Sequence, residues 1–204
     1  MSNDREAILG RVRQALAPLP KRAEAPDWER ELVVMRNARG AVDAAALFTE
    51  RLKLVNGTPI SSLADLVALF VASGWRRGYC DPALVARLRP AFPAEIVFET
   101  DFDRTRVDDY QFGITAAVGA IAETGTVILN DAATSRRLAA LAPWVHVAVV
   151  PRSRIHIDLP EAVAALGSDP NIIWCTGPSK TADVEGILIE GVHGPGVQIA
   201  LLVD

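Results

Sequence analysis

Hydrophobic and polar residues alternate along this chain in two rhythms, one with the period of helices and one with the period of strands. Near the start, apolar residues recur at the spacing of one helix face: Ile8, Leu9, Val12 and Leu16. Pro18 ends this run, and a charged, proline-bearing segment typical of a linker follows. We therefore predict an amphipathic helical arm with its linker over residues 1–22 and a separate domain over residues 23–204.

The domain shows short apolar runs that alternate with amphipathic stretches. Candidate helices cover residues 41–53, 62–73, 82–89, 134–141, 160–166 and about 180–190. Candidate strands cover residues 76–80, 95–98, 114–121, 126–130, 145–150, 171–175 and 197–203. Two of the strands, 145–150 and 197–203, are apolar enough for a sheet that is covered on both faces. This alternation predicts the α/β class with a mostly parallel sheet.

Composition and charge narrow the function classes. The 204 residues are 50% hydrophobic with a net charge of −4, which is ordinary for a globular protein and gives no electrostatic reason to bind nucleic acid. The two cysteines, Cys80 and Cys175, have no metal-ligand spacing, so this chain cannot build a cysteine-ligated iron–sulfur cluster or zinc finger. We expect no metal and no other cofactor in it. If the protein takes part in electron transfer, a partner must therefore carry the redox centre.

The start of the sequence has no apolar signal region. No window reaches 18 uninterrupted apolar residues, so no membrane-inserted segment is predicted. We expect a cytoplasmic protein, and the sequence leaves open whether it forms a homo-oligomer.

The first segment with candidate chemistry is Glu123-Thr124-Gly125-Thr126, which interrupts an apolar stretch. One interpretation makes Glu123 an exposed residue of a tight turn between strands. The other makes Glu123 a general base or nucleophile and assigns Thr124, Gly125 and Thr126 to ligand binding, with the glycine allowing close backbone approach.

The second segment runs from a strand into a predicted helix. Its candidate anion-binding residues are Thr176, Gly177, Ser179, Lys180 and Thr181. Backbone N–H groups at a helix start attract anions, and Lys180 adds a positive charge, so phosphate or carboxylate binding is one interpretation. Ordinary helix capping by Ser179 or Thr181 is the other.

The third segment, Gly191-Val-His-Gly-Pro-Gly196, contains His193. This histidine is a candidate proton shuttle or ligand contact, although a lone histidine commonly bonds only to backbone. Cys175 either pairs with His193 as a nucleophile or is a small buried hydrophobic residue. Because parallel strands share a carboxyl edge, we expect Glu123, the turn 176–181 and His193 to converge there.

These segments, taken in order, resemble the LUD-domain family and, more narrowly, its LutC/YkgG group. The likeness is carried by 113–115 with 120–126, by 176–185 and by 191–195. Where the family usually has Gly-Ala-Asp-Ala after Gly-Ile-Thr, this chain has Ala116-Ala-Val-Gly119, so the family's aspartate has no counterpart here.

The resemblance implies a three-layer α/β/α sandwich of the NagB/RpiA/CoA transferase-like fold. It also implies a cluster-free subunit in the oxidation of L-lactate to pyruvate, with LutA- and LutB-like partner subunits that carry the iron–sulfur clusters. Two alternatives stay open. One is a stand-alone isomerase, deaminase or acyl-transfer enzyme with Glu123 as base or nucleophile, and the other is a scaffold subunit with a vestigial pocket.

Overall fold

The structure, a computed structural model, describes residues 3–18, 43–130, 137–167, 171–182 and 186–204. Contacts divide the chain into two compact units, Met1–Arg36 and Asn37–Asp204. The boundary predicted between residues 22 and 23 lies outside the described residues. Each unit is considered by itself.

In the first unit, Asn3–Leu16 forms helix α1, in agreement with the apolar spacing. Three residues of the predicted stripe, Ile8, Val12 and Leu16, lie between 40% and 58% exposed. Helix α1 therefore has an apolar stripe open to solvent.

Five of the six predicted helices are found in the second unit, and the starts predicted at residues 41 and 134 lie outside the described residues. They are α2 (Ala44–Leu54), α3 (Leu63–Ser73), α4 (Pro82–Leu88), α5 (Arg137–Leu141) and α6 (Leu159–Leu166). The Ser62 hydroxyl accepts from Asp65 N at the start of α3, and Gly74 ends that helix with a φ of 70°. A side-chain acceptor at the first position and a left-handed glycine at the last are the usual limits of a helix.

The strands occur in chain order as follows: β1 (Thr58–Ile60), β2 (Arg77–Cys80), β3 (Val97–Glu99), β4 (Phe112–Ala116), β5 (Gly119–Ile121), β6 (Thr126–Asn130), β7 (Val145–Pro151), β8 (Ile155–His156), β9 (Ile172–Cys175), β10 (Lys180–Thr181), β11 (Ile189–Glu190) and β12 (Val197–Val203). Among the described residues, six strands form the central sheet in the order β1-β12-β7-β4-β2-β3. All neighbours in it are parallel. The predicted α/β class with a mostly parallel sheet is confirmed.

Residues of the central sheet alternate between its two faces. One face packs against α3 and α4 through a cluster that includes Phe70, Leu88, Phe112, Val147 and Ile199. Each such fully buried side chain contributes roughly 1.5–3 kcal/mol of hydrophobic stabilisation. On the other face, α5 lies directly on β4, because a Cβ on Gly113 would overlap the carbonyl oxygen of Ala139. The sheet is therefore covered on both faces, as the apolar strands predict.

A second sheet has the order β8-β5-β6-β9 among the residues described, with β6 antiparallel to both β5 and β9. The single strand predicted over 114–121 is therefore wrong: β4 belongs to the central sheet and β5 to the second. The chain crosses between the sheets where Ala117 N donates to Val149 O and Val118 N donates to Ile128 O.

The helix predicted over residues 180–190 is also wrong. The described residues there form β10 and β11, a short antiparallel pair. A helix would need the carbonyl of Ser179 to accept from a residue four positions later. Instead this carbonyl accepts from Gly191 N, and Ser179 N donates to Pro195 O. Hydrogen bonds to distant residues therefore hold this segment extended.

Candidate functional site

A cavity of about 400 Å³ lies between α5, the turn after β9 and the start of β12. Its polar lining comes from Cys175, Thr176, Ser179, Lys180, His193 and Gln198, and apolar residues such as Leu141 and Trp174 complete the wall. A concave site that combines apolar walls with convergent polar groups is typical of small-molecule binding. We take this cavity as the candidate site.

The structure brings together two of the three predicted segments in this cavity. Thr176, Gly177, Ser179 and Lys180 line it, and His193 lines it from the loop that leads to β12. The described lining does not include Glu123, Thr124, Gly125, Thr126 or Thr181. The loop that carries His193 is held by Trp144, whose ring leaves no room for a Cβ on Gly191 or Gly196.

The segment 123–126 contacts the cavity wall through hydroxyl groups. Thr124 Oγ1 lies 2.7 Å from Thr126 Oγ1, which lies 2.8 Å from Thr176 Oγ1. These segments meet for a different reason from the one we expected, which was the shared carboxyl edge of a parallel sheet. Strands β6 and β9 are antiparallel, with Val127 opposite Cys175, so the residues next to this pair meet.

Glu123 contacts a helix start. Its Oε1 accepts from Leu159 N at 2.9 Å, at the first residue of α6, and its own N–H donates to Ile157 O. A carboxylate in this position satisfies a helix N–H and favours the helix dipole. Its other oxygen, Oε2, is buried and has no hydrogen-bond partner among the described residues. Glu123 lies in the turn between β5 and β6, as the structural interpretation predicts, but it is half-buried and not exposed, and its carboxylate bonds a helix start.

The glycines at the two turns serve packing. Gly125 and Gly177 have φ values of 67° and 72°, which favour glycine. A Cβ on Gly125 would press on the backbone of Leu52, and one on Gly177 would overlap the carbonyl of Val55. Both turns therefore lie against the end of α2.

Lys180 is already paired. Its Nζ donates to Val55 O at 2.9 Å and lies 3.6 Å from Glu190 Oε1. Glu190 also accepts from Asn56 Nδ2 at 2.7 Å. A cation beside the last carbonyls of a helix is favourable, so Lys180 caps α2.

The helix start that we predicted after Ser179 is wrong, because the described residues there form strands β10 and β11. Anion binding by residues 176–181 stays a prediction. Thr181 pairs with Ile189 in the β10–β11 ladder. The polar groups left to receive a ligand are those of the cavity itself.

Cys175 lines the cavity as a protonated thiol. Burial raises the pKa of Cys175 to about 11, so the reactive thiolate is scarce at neutral pH. This argues against Cys175 as a nucleophile, and its side chain lies half-buried in the wall.

Three buried polar side chains form a hydrogen-bonded row beneath the cavity. The sequence did not predict this row. Thr115, His146 and Gln198 come from β4, β7 and β12, on the face that α5 covers. His146 Nε2 lies 2.8 Å from Thr115 Oγ1, and His146 Nδ1 lies 2.9 Å from Gln198 Oε1. The available signal was a polar residue at the second position of two otherwise apolar strands, β7 and β12.

The protonation of this row follows from its geometry. Burial lowers the pKa of His146 to about 4, so the ring is neutral at pH 7 and carries one proton. An amide oxygen only accepts, so Nδ1 holds the proton and donates to Gln198. Nε2 then accepts from the Thr115 hydroxyl. The Gln198 Nε2 group is buried and has no partner among the described residues.

A smaller cavity of about 220 Å³ lies at the carboxyl edge of the central sheet, where we expected the site. Arg87 and Arg152 line it, and Arg152 Nε lies 3.4 Å from Asp204 Oδ1. It contains none of the residues that the sequence singled out. Among the described residues, no group of three or more His, Cys, Asp or Glu is placed to hold a metal ion. Within the same part of the chain, no helix combines the length and the apolar character needed to cross a membrane.

Comparison with known proteins places this geometry in context. Residues 86–203 match the LUD domain. Proteins named lactate utilization protein C are similar: that of Bacillus licheniformis is 35% identical over 98 residues, which are 44% of this chain and 41% of the relative. The one from Deinococcus radiodurans is 34% identical over 102 residues, 48% of each chain. The one from Bacillus subtilis is 32% identical over 121 residues, 53% of this chain and 50% of the relative.

The chain spans about half the length of these curated relatives. Among solved structures, the crystal structure of a DUF162 family protein from Deinococcus radiodurans matches with a TM-score of 0.59 and 23% identity. The match covers 79% of this chain and 96% of that one. At this identity the likeness bears on the fold alone.

Proposed function

Because the chain belongs to the LUD-domain family, we propose that it takes part in lactate utilisation, as a subunit of a system that oxidises L-lactate to pyruvate. One observation carries the proposal: the matched residues, 86–203, include every residue that lines the cavity. The names of the relatives supply the substrate.

The cavity is the ligand site in this proposal. Its volume of about 400 Å³ lies in the range of small-molecule sites and accommodates a three-carbon acid. Thr176, Ser179 and His193 place hydrogen-bonding groups on its wall. Lys180 is held by Val55 and Glu190, so we assign it to the structure of the wall rather than to the ligand.

Partners complete the reaction. Oxidation of L-lactate to pyruvate removes two electrons and two protons, and we assign the electron acceptor to LutA- and LutB-like iron–sulfur subunits in the cytoplasm. The exposed apolar stripe of α1 is one surface for such a partner or for a second copy of this chain, because a stripe of this kind is usually covered by a protein.

The stand-alone isomerase, deaminase or acyl-transfer enzyme receives no support from the geometry. Its candidate base, Glu123, bonds the start of α6 and is not part of the described cavity lining. The scaffold alternative shares the subunit role and differs from the proposal in that its cavity binds no ligand, which a binding titration tests.

Growth on L-lactate tests the proposal. The gene is deleted in a strain that has no other lactate dehydrogenase, and growth is measured on L-lactate and on pyruvate. We expect growth on L-lactate to stop, growth on pyruvate to continue, and a plasmid copy of the gene to restore the first. Normal growth of the deletion strain on L-lactate would contradict the proposal.

A further inference from the structure

Gln198 stands out because it is a buried donor that faces a cavity. It is 2% exposed, and it is one of the residues that line the candidate cavity. Its neighbours Val197 and Ile199 pack on the α3–α4 side of the sheet, so the side chain of Gln198 points to the cavity side. The Nε2 atom of Gln198 is itself buried and has no partner among the described residues, and a buried amide without a partner costs roughly as much as a lost hydrogen bond. A residue of the cavity wall that carries an unused N–H₂ group therefore calls for an acceptor.

Buried neighbours fix the orientation of the Gln198 amide. His146 Nδ1 binds Gln198 Oε1 and Thr115 Oγ1 binds His146 Nε2, and all three side chains are buried. Because Thr115 and His146 are hydrogen-bonded to each other and to Gln198 Oε1, the row holds the rest of the Gln198 amide in one geometry. The rest of this amide is Nε2, with two hydrogens to donate.

The charge around the cavity selects the class of acceptor. Among the described lining residues, Lys180 carries the one formal positive charge, and Glu190 offsets it from 3.6 Å. The remaining donors, such as Ser179 and Gln198, are neutral. The described lining offers a phosphate dianion no cation beyond the already paired Lys180, whereas a monoanionic carboxylate is well served by neutral hydrogen-bond donors.

We propose that Gln198 is the ligand-binding residue of the cavity and that its Nε2 group donates to the carboxylate of a small 2-hydroxy or 2-oxo acid. The choice of acid rests on the proposed function. Thr115 and His146 are positioning residues, which act through the orientation of the Gln198 amide.

Calorimetric titration of the full chain with pyruvate, L-lactate and inorganic phosphate tests this binding. We expect pyruvate or L-lactate to bind more tightly than phosphate. Gln198→Leu should weaken binding of that acid about 10- to 100-fold, because it removes a hydrogen bond to a charged group. Gln14→Leu is the same change at an exposed position of α1, on the face away from the apolar stripe, and should leave binding unchanged. Equal binding by wild-type protein and Gln198→Leu would overturn the proposal.

The positioning role has its own readout. Thr115→Val removes the hydroxyl that bonds His146 and should weaken binding, whereas Thr115→Ser keeps the hydroxyl and should restore it. Equal loss in both variants would contradict the role of this row.

Nuclear magnetic resonance covers the case in which a variant does not fold. In the ¹⁵N-labelled wild-type protein, the side-chain N–H₂ signals of Gln198 should shift as pyruvate is added. If only the backbone signals of residues 176–180 shift, the cavity binds the acid without Gln198 and this inference is wrong. If Gln198 responds while growth on L-lactate does not need the gene, the proposed function fails and the binding site remains.

Discussion

The buried histidine gives the sharpest prediction about stability. His146 is fully buried, and burial lowers its pKa from 6.5 to about 4. In the unfolded chain the ring binds a proton near its ordinary pKa. Between these two values the unfolded state therefore holds more protons than the folded state, so the free energy of unfolding rises with pH across this window.

The magnitude follows from the shift. Over the whole window, from pH 6.5 down to pH 4, a shift of this size removes about 3 kcal/mol of stability, at 1.36 kcal/mol for each pKa unit. Between pH 7 and pH 5, where most carboxylates stay ionised, the loss is about 2 kcal/mol. This is a substantial part of the total stability of an ordinary domain.

Urea unfolding at pH 7, 6 and 5 measures this effect in the wild-type protein and in His146→Asn. The asparagine side chain keeps an N–H donor for Gln198 and does not titrate. We expect it to be less stable at pH 7 and to lose about 2 kcal/mol less than the wild-type protein on going to pH 5. The two proteins differ at this one residue, so the difference between their profiles reports on His146. Parallel pH profiles for the two proteins would refute the buried, neutral state of His146.

Other substitutions test separate contacts. Gly113→Ala should lower stability by about 1–3 kcal/mol in urea unfolding, because its Cβ overlaps the backbone of α5, whereas Gly10→Ala, where nothing lies within 4 Å, should stabilise α1 slightly. Lys180→Met should lower the melting temperature but leave the Kd for pyruvate within about twofold, since the Lys180 ammonium already binds Val55 and Glu190. A tenfold loss of affinity would show instead that Lys180 binds the ligand. Glu123→Gln should keep growth on L-lactate, because the amide oxygen still accepts from Leu159 N, and loss of growth with normal folding would restore a chemical role for Glu123. Removal of residues 1–22 should leave the second unit folded by circular dichroism but impair growth on L-lactate, and a truncated chain that fails to fold would place α1 in the core.

Local signals account for what the sequence predicts well. Ser62 and Gly74 mark the ends of α3, and Asp81 caps α4, because a cap depends on residues only a few positions apart. The apolar strands β7 and β12 are long and rich in valine, leucine and isoleucine, so their place inside the sheet also follows from composition.

Contacts between distant residues explain what the sequence does not predict. Ser179 forms hydrogen bonds with Pro195 and Gly191, and these bonds replace the helix that the local sequence pattern predicts. The chain leaves the central sheet after Ala116 because Ala117 and Val118 bond to two different sheets. Neither choice is visible within a short window of sequence.

The candidate site shows the same limit. The turn 176–180 and His193 were found from glycine and hydroxyl residues that cluster in sequence, and the structure brings them to one cavity. The polar row needs the register of three parallel strands, in which His146 lies opposite Gln198 although 52 residues separate them. Glu123 attracted attention as a charged residue in an apolar stretch, but its partner is Leu159 N, 36 residues away.

Growth of a single chromosomal variant tests the central claim most directly. Gln198→Leu is introduced in a strain that has no other lactate dehydrogenase, next to Gln14→Leu as the matched control, with protein levels measured in both. The account predicts that Gln198→Leu, at normal protein level, grows on pyruvate but not on L-lactate, while Gln14→Leu grows on both. Growth of Gln198→Leu on L-lactate at the wild-type rate would contradict the claim that this cavity binds the acid on which the system acts.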